Sequence, residues 1–204
     1  MVAVDRVQEI QEIVGAGPLC VGARWWIDDQ GDATLEDLWL RCSRGDWLMW
    51  SLAVLGVDVT GIGYWCAERA RQHVLCAIDA EGVTGPDVDA LRACAPIVDA
   101  ATAHLAQGAL WAVQRPRCGS LALSRIRRVV EAAAAVADWV EWDDLGEGAW
   151  FAARASSRAC VATQDSSPDE ARDSELLAIA KHVRTMVPWS VVAEAIARKG
   201  GGRA

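Results

Sequence analysis

Apolar positions along this chain recur mostly at intervals of three and four, the spacing of one helical face. Val4, Val7, Ile10, Ile13 and Val14 follow that spacing, and Gly15-Ala16-Gly17-Pro18 stops the helix they predict. Trp25 and Trp26 sit in a short segment that runs into the acidic turn Asp28-Asp29-Gln30-Gly31-Asp32. Thr34 with Asp37 three residues on has the form of a capping box, opening a helix with Leu35, Leu38 and Trp39. Arg44-Gly45-Asp46 reads as a turn, with Asp46 capping a helix that carries Trp47 and Trp50 and ends at Gly56. From Thr60 a longer helix sets Ile62, Trp65, Cys66, Arg69, Ala70, His73, Cys76 and Ala77 along one side, and it breaks at Gly82 and Gly85-Pro86.

The second half predicts helices over 86–114 with a kink or break at Pro96, then over 120–144, 149–163 and 168–187. A short last helix follows Pro188-Trp189-Ser190. Ile126, Val129, Val130, Ala133 and Ala137 give the second of these an amphipathic, Ala-lined strip. No stretch alternates in the manner of a strand, and no segment repeats. The expected fold is all-α: one multi-helix bundle over residues 1–199, with 200–204 as a flexible tail.

Composition narrows the function classes. Hydrophobic content of 52% beside 24% charge belongs to a chain that folds, not to a disordered one. No apolar run reaches the ~18–20 residues that cross a bilayer. The N-terminal residues lack a basic region followed by an apolar one, so a cytoplasmic protein is expected. Seven cysteines, an odd number without C-x-x-C spacing, argue against both a disulfide framework and a zinc knuckle. They read as small buried hydrophobes. A net charge of −8 disfavours general nucleic-acid binding.

Catalytic signatures are missing. His73, His104 and His182 fall in no motif with Ser or Cys, and Gly61-Ile62-Gly63 lacks both the preceding strand and the third glycine of a phosphate loop. No enzyme activity or cofactor is therefore expected. Cys66, His73 and Cys76 share a helix face, yet zinc ordinarily takes four ligands in tighter geometry than one face offers. The expected reading is a core face without metal, with His73 bonded to a carbonyl. Trp47 and Trp50 are expected to pack in the core. Alternatively, Trp50 and Arg44 line a partner-facing surface, since Trp and Arg are enriched at binding hot spots. Asp28, Asp29 and Asp32 would meet a basic partner. Arg115, Arg117, Arg125 and Arg128 form an arginine cluster that could hold a phosphate or carboxylate, which makes an anionic small molecule the alternative ligand.

Trp39, Cys42 and the run Gly45-Asp46-Trp47-Leu48-Met49-Trp50, followed by a helix with Trp65, Cys66 and Cys76, resemble the signature of the Ala-rich immunity-protein family of bacterial polymorphic-toxin loci and phage genomes. The resemblance implies a helical, cytoplasmic, non-enzymatic protein that neutralises or sequesters a toxin or defence protein. Capture of an anionic, nucleotide-like molecule through the arginine cluster is the alternative.

Overall fold

Local chemistry sets most of the helix ends. The computed structural model describes residues 10, 20–114, 153–154, 156–161 and 167–201, and every regular element among them is helical. The chain is an all-α multi-helix domain. Its elements are α1 (Val21–Asp29), α2 (Leu35–Arg41), α3 (Gly45–Val54), α4 (Thr60–Ala80), α5 (Pro86–Ala93), α6 (Ala100–Gln114), α7 (Pro168–Met186) and α8 (Trp189–Gly201). The helix expected over 120–144, with its Ala-lined strip, lies outside the described residues, as does most of the one around Val4 to Val14.

Thr34 caps α2 as expected. Its hydroxyl accepts from Asp37 N at 3.1 Å, while the Asp37 carboxylate accepts from Thr34 N at 3.0 Å, which satisfies two orphan donors reciprocally. Helix α3 ends in a Schellman turn: Val57 N donates to Leu52 O, Gly56 N donates to Ala53 O, and Gly56 sits at φ +74°. Pro86 opens α5 behind Gly85, at φ +144°. The expected interruption at Pro96 is a full break between α5 and α6. At the C-terminus α8 continues through Gly200 and Gly201.

Two early expectations are corrected. Asp46 is not the N-cap of α3. Arg44 occupies that position without a side-chain cap bond, and Asp46 lies inside the first turn, 2% exposed. Gly45 is not a turn residue either; it begins the helix and is buried. A Cβ added there would lie 2.5 Å from Ile179 Cγ2 and 2.8 Å from Ala180 N. Here α3 lies directly against α7, with no space for a side chain between them.

That contact organises the main core. Leu48, Met49 and Leu52 of α3 pack with Leu176, Ile179 and Val183 of α7, and with Ile62 and Cys66 of α4. Trp39 of α2 and Val192 of α8 close the cluster. A second cluster joins Ala70, Val74 and Ile78 of α4 to Val88 and Leu91 of α5, and a third joins Ile27, Ala33 and Leu38. Trp47 and Trp50, expected in the core, are only half-buried, because the inner face of α3 is taken by Leu48, Met49 and Leu52.

Long cations close helix C-termini from a distance in sequence. Arg184 Nη1 donates to Trp39 O at 3.1 Å and Cys42 O at 2.8 Å, and Lys199 Nζ donates to Val54 O at 2.6 Å. Positive charge at these carbonyl ends is favourable on both hydrogen-bonding and dipole grounds.

Gly45→Ala is expected to destabilise the fold by about 1–3 kcal/mol, since the new methyl meets fixed backbone as well as a side chain. Gly61→Ala is the control. It sits in α4 with nothing within 4 Å of an added Cβ, and there alanine should stabilise by up to about 1 kcal/mol. Thermal melts of the two variants moving in the same direction would contradict the close-approach assignment.

Candidate functional site

Residues between Cys42 and Trp50, on either side of Gly45, build one wall of a cavity of about 530 Å³. Five tryptophans line it: Trp26 from α1, Trp39 from α2, Trp47 and Trp50 from α3, and Trp189 from α8. Ala23, Ile27, Leu38, Leu48, Val192 and Ile196 are among the apolar residues beside them. The volume and the apolar, aromatic lining fall in the range of small-molecule and side-chain binding sites. Trp26 and Trp47 meet at 6.1 Å between ring centroids, tilted by 57°, an arrangement aromatic quadrupoles favour.

The polar groups of the cavity are few and engaged. Arg44 clamps Asp46 with two bonds, Nε to Oδ1 at 2.9 Å and Nη2 to Oδ2 at 2.7 Å, and its guanidinium lies 4.5 Å over the Trp47 ring. Ser51 Oγ donates to Trp47 O at 2.9 Å. Cys42 Sγ donates to Arg44 O at 3.6 Å, and burial pushes the thiol up to about 11, so it carries no thiolate character at neutral pH. Arg154 also reaches the lining.

The residues expected to face a partner are thus divided. Arg44 and Trp50, both partly exposed, line the cavity. Asp28, Asp29 and Asp32 are exposed; the first two close α1 and are not part of the turn proper. Helix α1 faces both ways. Ala23, Trp26 and Ile27 point to the cavity, while Val21 and Trp25 are 60% and 72% exposed on the other side. Sequence reading missed the exposure of Trp25, because an adjacent Trp pair gives no sign of which ring is inside. Arg115, Arg117, Arg125 and Arg128 lie outside the described residues.

A second constellation surrounds Glu175 of α7, 3% exposed. Arg69 of α4 grips it with both ends of its fork, Nε to Oε1 at 2.7 Å and Nη2 to Oε2. Ser156 Oγ donates to Oε1 at 2.7 Å. His73 Nε2 stands 3.4 Å from Oε2, and Cys160 Sγ lies close enough that His73, Cys160 and Glu175 present ligand atoms within 4.8 Å of one another. Burial raises the pKa of Glu175, but the bonds from Arg69, with His73 and Ser156 beside them, outweigh it and hold the carboxyl well below the ordinary carboxylate range. Next to this cluster Trp65 carries His182 stacked on it at 3.9 Å and 9°, with Arg69 5.0 Å from the ring centroid. Burial, and then the Arg69 charge, lower the His182 pKa.

The helix-face trio therefore does not survive. Cys76 is exposed and Cys66 is fully buried in the core, where burial drives its thiol far upward. Among the described residues, His73 Nε2 is buried without a hydrogen-bond partner and so bonds no carbonyl through that nitrogen. Of the described cysteines Cys42, Cys66 and Cys160 are buried as expected, whereas Cys20 and Cys76 are exposed.

Glu175→Gln should cost about 1–3 kcal/mol, less than the ~3–5 of a fully enclosed pair because solvent reaches Arg69. The folded pKa lies below the ordinary value of 4.5, so the pairing contributes stability above that pH and loses it as pH falls toward the folded pKa. Urea melts between neutral and acid pH should therefore show a steeper acid loss for the wild type than for the variant. Parallel curves would count against the pairing. Comparison with protein-family models, with curated proteins and with solved structures finds no match for this chain, and its function rests on the chemistry of the site.

Proposed function

We propose that this protein is a non-enzymatic binding protein that sequesters a protein partner, holding an apolar anchor of that partner in the Trp-walled cavity. The observation that carries the reading is the wall itself. The stretch Arg44 to Trp50 supplies two tryptophans and an internally neutralised Arg44–Asp46 pair to a space of about 530 Å³. Among the described lining residues there is no histidine and no pair of carboxylates, and the buried Cys42 thiol is held protonated. Such a lining favours desolvation and shape recognition over acid–base or nucleophilic chemistry.

Charge supplies the second element of the partner. Helix α1, which contributes Ala23, Trp26 and Ile27 to the cavity, turns Trp25, Asp28 and Asp29 outward, with Asp32 just beyond. Trp25 is followed by acids three and four residues on, so the ring and both carboxylates share one face of the helix. An exposed indole beside carboxylates suits a basic protein surface, with Trp as the anchor and the acids steering approach. The resemblance to immunity proteins supports the same class, and a toxin or defence protein with a basic surface is the partner it implies. The size and aromatic lining of the cavity favour a second reading, capture of an apolar, ring-bearing small molecule.

Gel filtration of the protein purified from its source separates the readings: a protein partner co-elutes, whereas a small ligand appears only on denaturing the isolated chain. With the partner in hand, Ala23→Phe, which fills the cavity, should weaken binding at least tenfold, about 1.4 kcal/mol, with the fold retained by circular dichroism. Reversing Asp28, Asp29 and Asp32 to Lys should slow association and reduce its salt dependence, because steering acts over about a Debye length, ~10 Å at 0.1 M salt. Unchanged affinity in the Ala23 variant would remove the cavity from the site. Unchanged association kinetics in the triple variant would remove the acidic turn.

A further inference from the structure

We propose that His73, Cys160 and Glu175 form a binding site for a zinc-class transition-metal ion, separate from the Trp-walled cavity and independent of the binding role proposed for it. The three residues come from α4, the helical stretch at 156–161 and α7, and their ligand atoms all lie within 4.8 Å of one another. Imidazole, thiol and carboxylate are the ordinary donors of zinc.

The distance between His73 and Glu175 is informative. Nε2 and Oε2 are 3.4 Å apart, beyond the ~2.7–3.2 Å of an ordinary N–H···O bond. His73 Nε2 is the buried side-chain nitrogen or oxygen that, among the described residues, has no hydrogen-bond partner. Two atoms bound to one tetrahedral zinc at about 2.0–2.1 Å stand about 3.3 Å apart. The pair thus has the spacing of a coordination edge and not that of a hydrogen bond. Edges to a thiolate are about 3.6 Å, so loading draws the set slightly inward.

The hydrogen bonds leave one acceptor direction of the carboxylate for the ion. Arg69 Nε and Ser156 Oγ both bond Oε1, and Arg69 Nη2 bonds Oε2. A carboxylate oxygen has two acceptor directions, so Oε2 retains one on the side of His73. Arg69 then acts as an outer partner that orients the ligating carboxylate. Its positive charge weakens the hold on a cation and makes the site a reversible one. Cys160, whose Sγ lies 3.6 Å from Ala171 O, binds as thiolate and releases its proton to solvent on loading. A thiolate and an imidazole in the set select zinc or cobalt over magnesium or calcium.

Cobalt titration of reduced, chelator-treated protein tests the site. Saturation at a single Co²⁺ per chain is expected, with a thiolate-to-cobalt charge-transfer band that Zn²⁺ abolishes by displacement. Cys160→Ser should remove the band, His73→Gln should weaken binding by about 10–100-fold, and Cys76→Ser, at an exposed thiol, should change nothing. A folded wild type that shows no band, or a band that survives Cys160→Ser or disappears with Cys76→Ser, overturns the proposal. X-ray absorption of zinc-loaded wild type needs no variant. One sulfur at about 2.3 Å is expected, and a shell of oxygen and nitrogen alone overturns the assignment.

Discussion

The absence of a side chain at Gly45 is the constraint on which the rest of the molecule depends. With any Cβ there, α3 could not rest on the Ile179–Ala180 segment of α7. Because it can, Met49 and Leu52 are wholly enclosed against Leu176, Ile179 and Val183. Interiors packed at crystal-like density tolerate little displacement, so the position of α3 is fixed along its length. The position of Trp47 and Trp50 in the cavity wall, away from the seam with α7, follows from that fixed inner face. A helix cannot bury Leu48, Met49 and Leu52 and also the residues on its other side.

The same α7 helix carries the charge that joins distant parts of the chain. Glu175 binds Arg69 of α4 and Ser156, and Arg184 reaches back to the carbonyls of Trp39 and Cys42. A buried carboxylate is costly unless its lone pairs are met, and here Arg69 and Ser156, from two separate segments, meet three of the four. A parallel arrangement lies on the opposite side of α4. Arg71, 4% exposed, forks onto Glu68, and Glu68 also accepts from Ile97 N at 2.9 Å. Burial raises the Glu68 pKa, but the bonds from Arg71, Gln72 and Ile97 prevail and lower it. This ties the break between α5 and α6 to α4. Helix α4 is thus held by ion pairs on both flanks as well as by its apolar face.

These packing decisions determine what each candidate group can do. Arg44 is neutralised by Asp46 and laid over Trp47, so it contributes a rigid, charge-balanced wall to the cavity and no free cation. The acids of α1 remain in solvent, where they act at a distance. His73 stands between the two possibilities, enclosed beside a carboxylate yet without a well-formed hydrogen bond. A polar atom left so in an interior is uncommon and calls for a physical reason.

Helix ends were legible in the chain because they depend on a few adjacent residues. The Thr34–Asp37 box, Gly56, Gly82 and Pro86 each act through backbone groups within a turn of themselves, and the all-α class follows from their spacing. Asp46 was misjudged at this level: its residue type suits a cap, but Arg44 draws its carboxylate away from the helix end. The candidate sites were hardly legible at all. Periodicity placed Cys66, His73 and Cys76 on one helix, and nothing local could show that His73 would meet Cys160 and Glu175 instead. Composition likewise supplied the tryptophans of the cavity but not which of them would converge. Sequence by itself determined where the helices begin and end, since those are short-range hydrogen-bonding matters. Only tertiary structure decided which faces meet, because that depends on the close approach at Gly45 and on charges satisfied by residues far away in the chain.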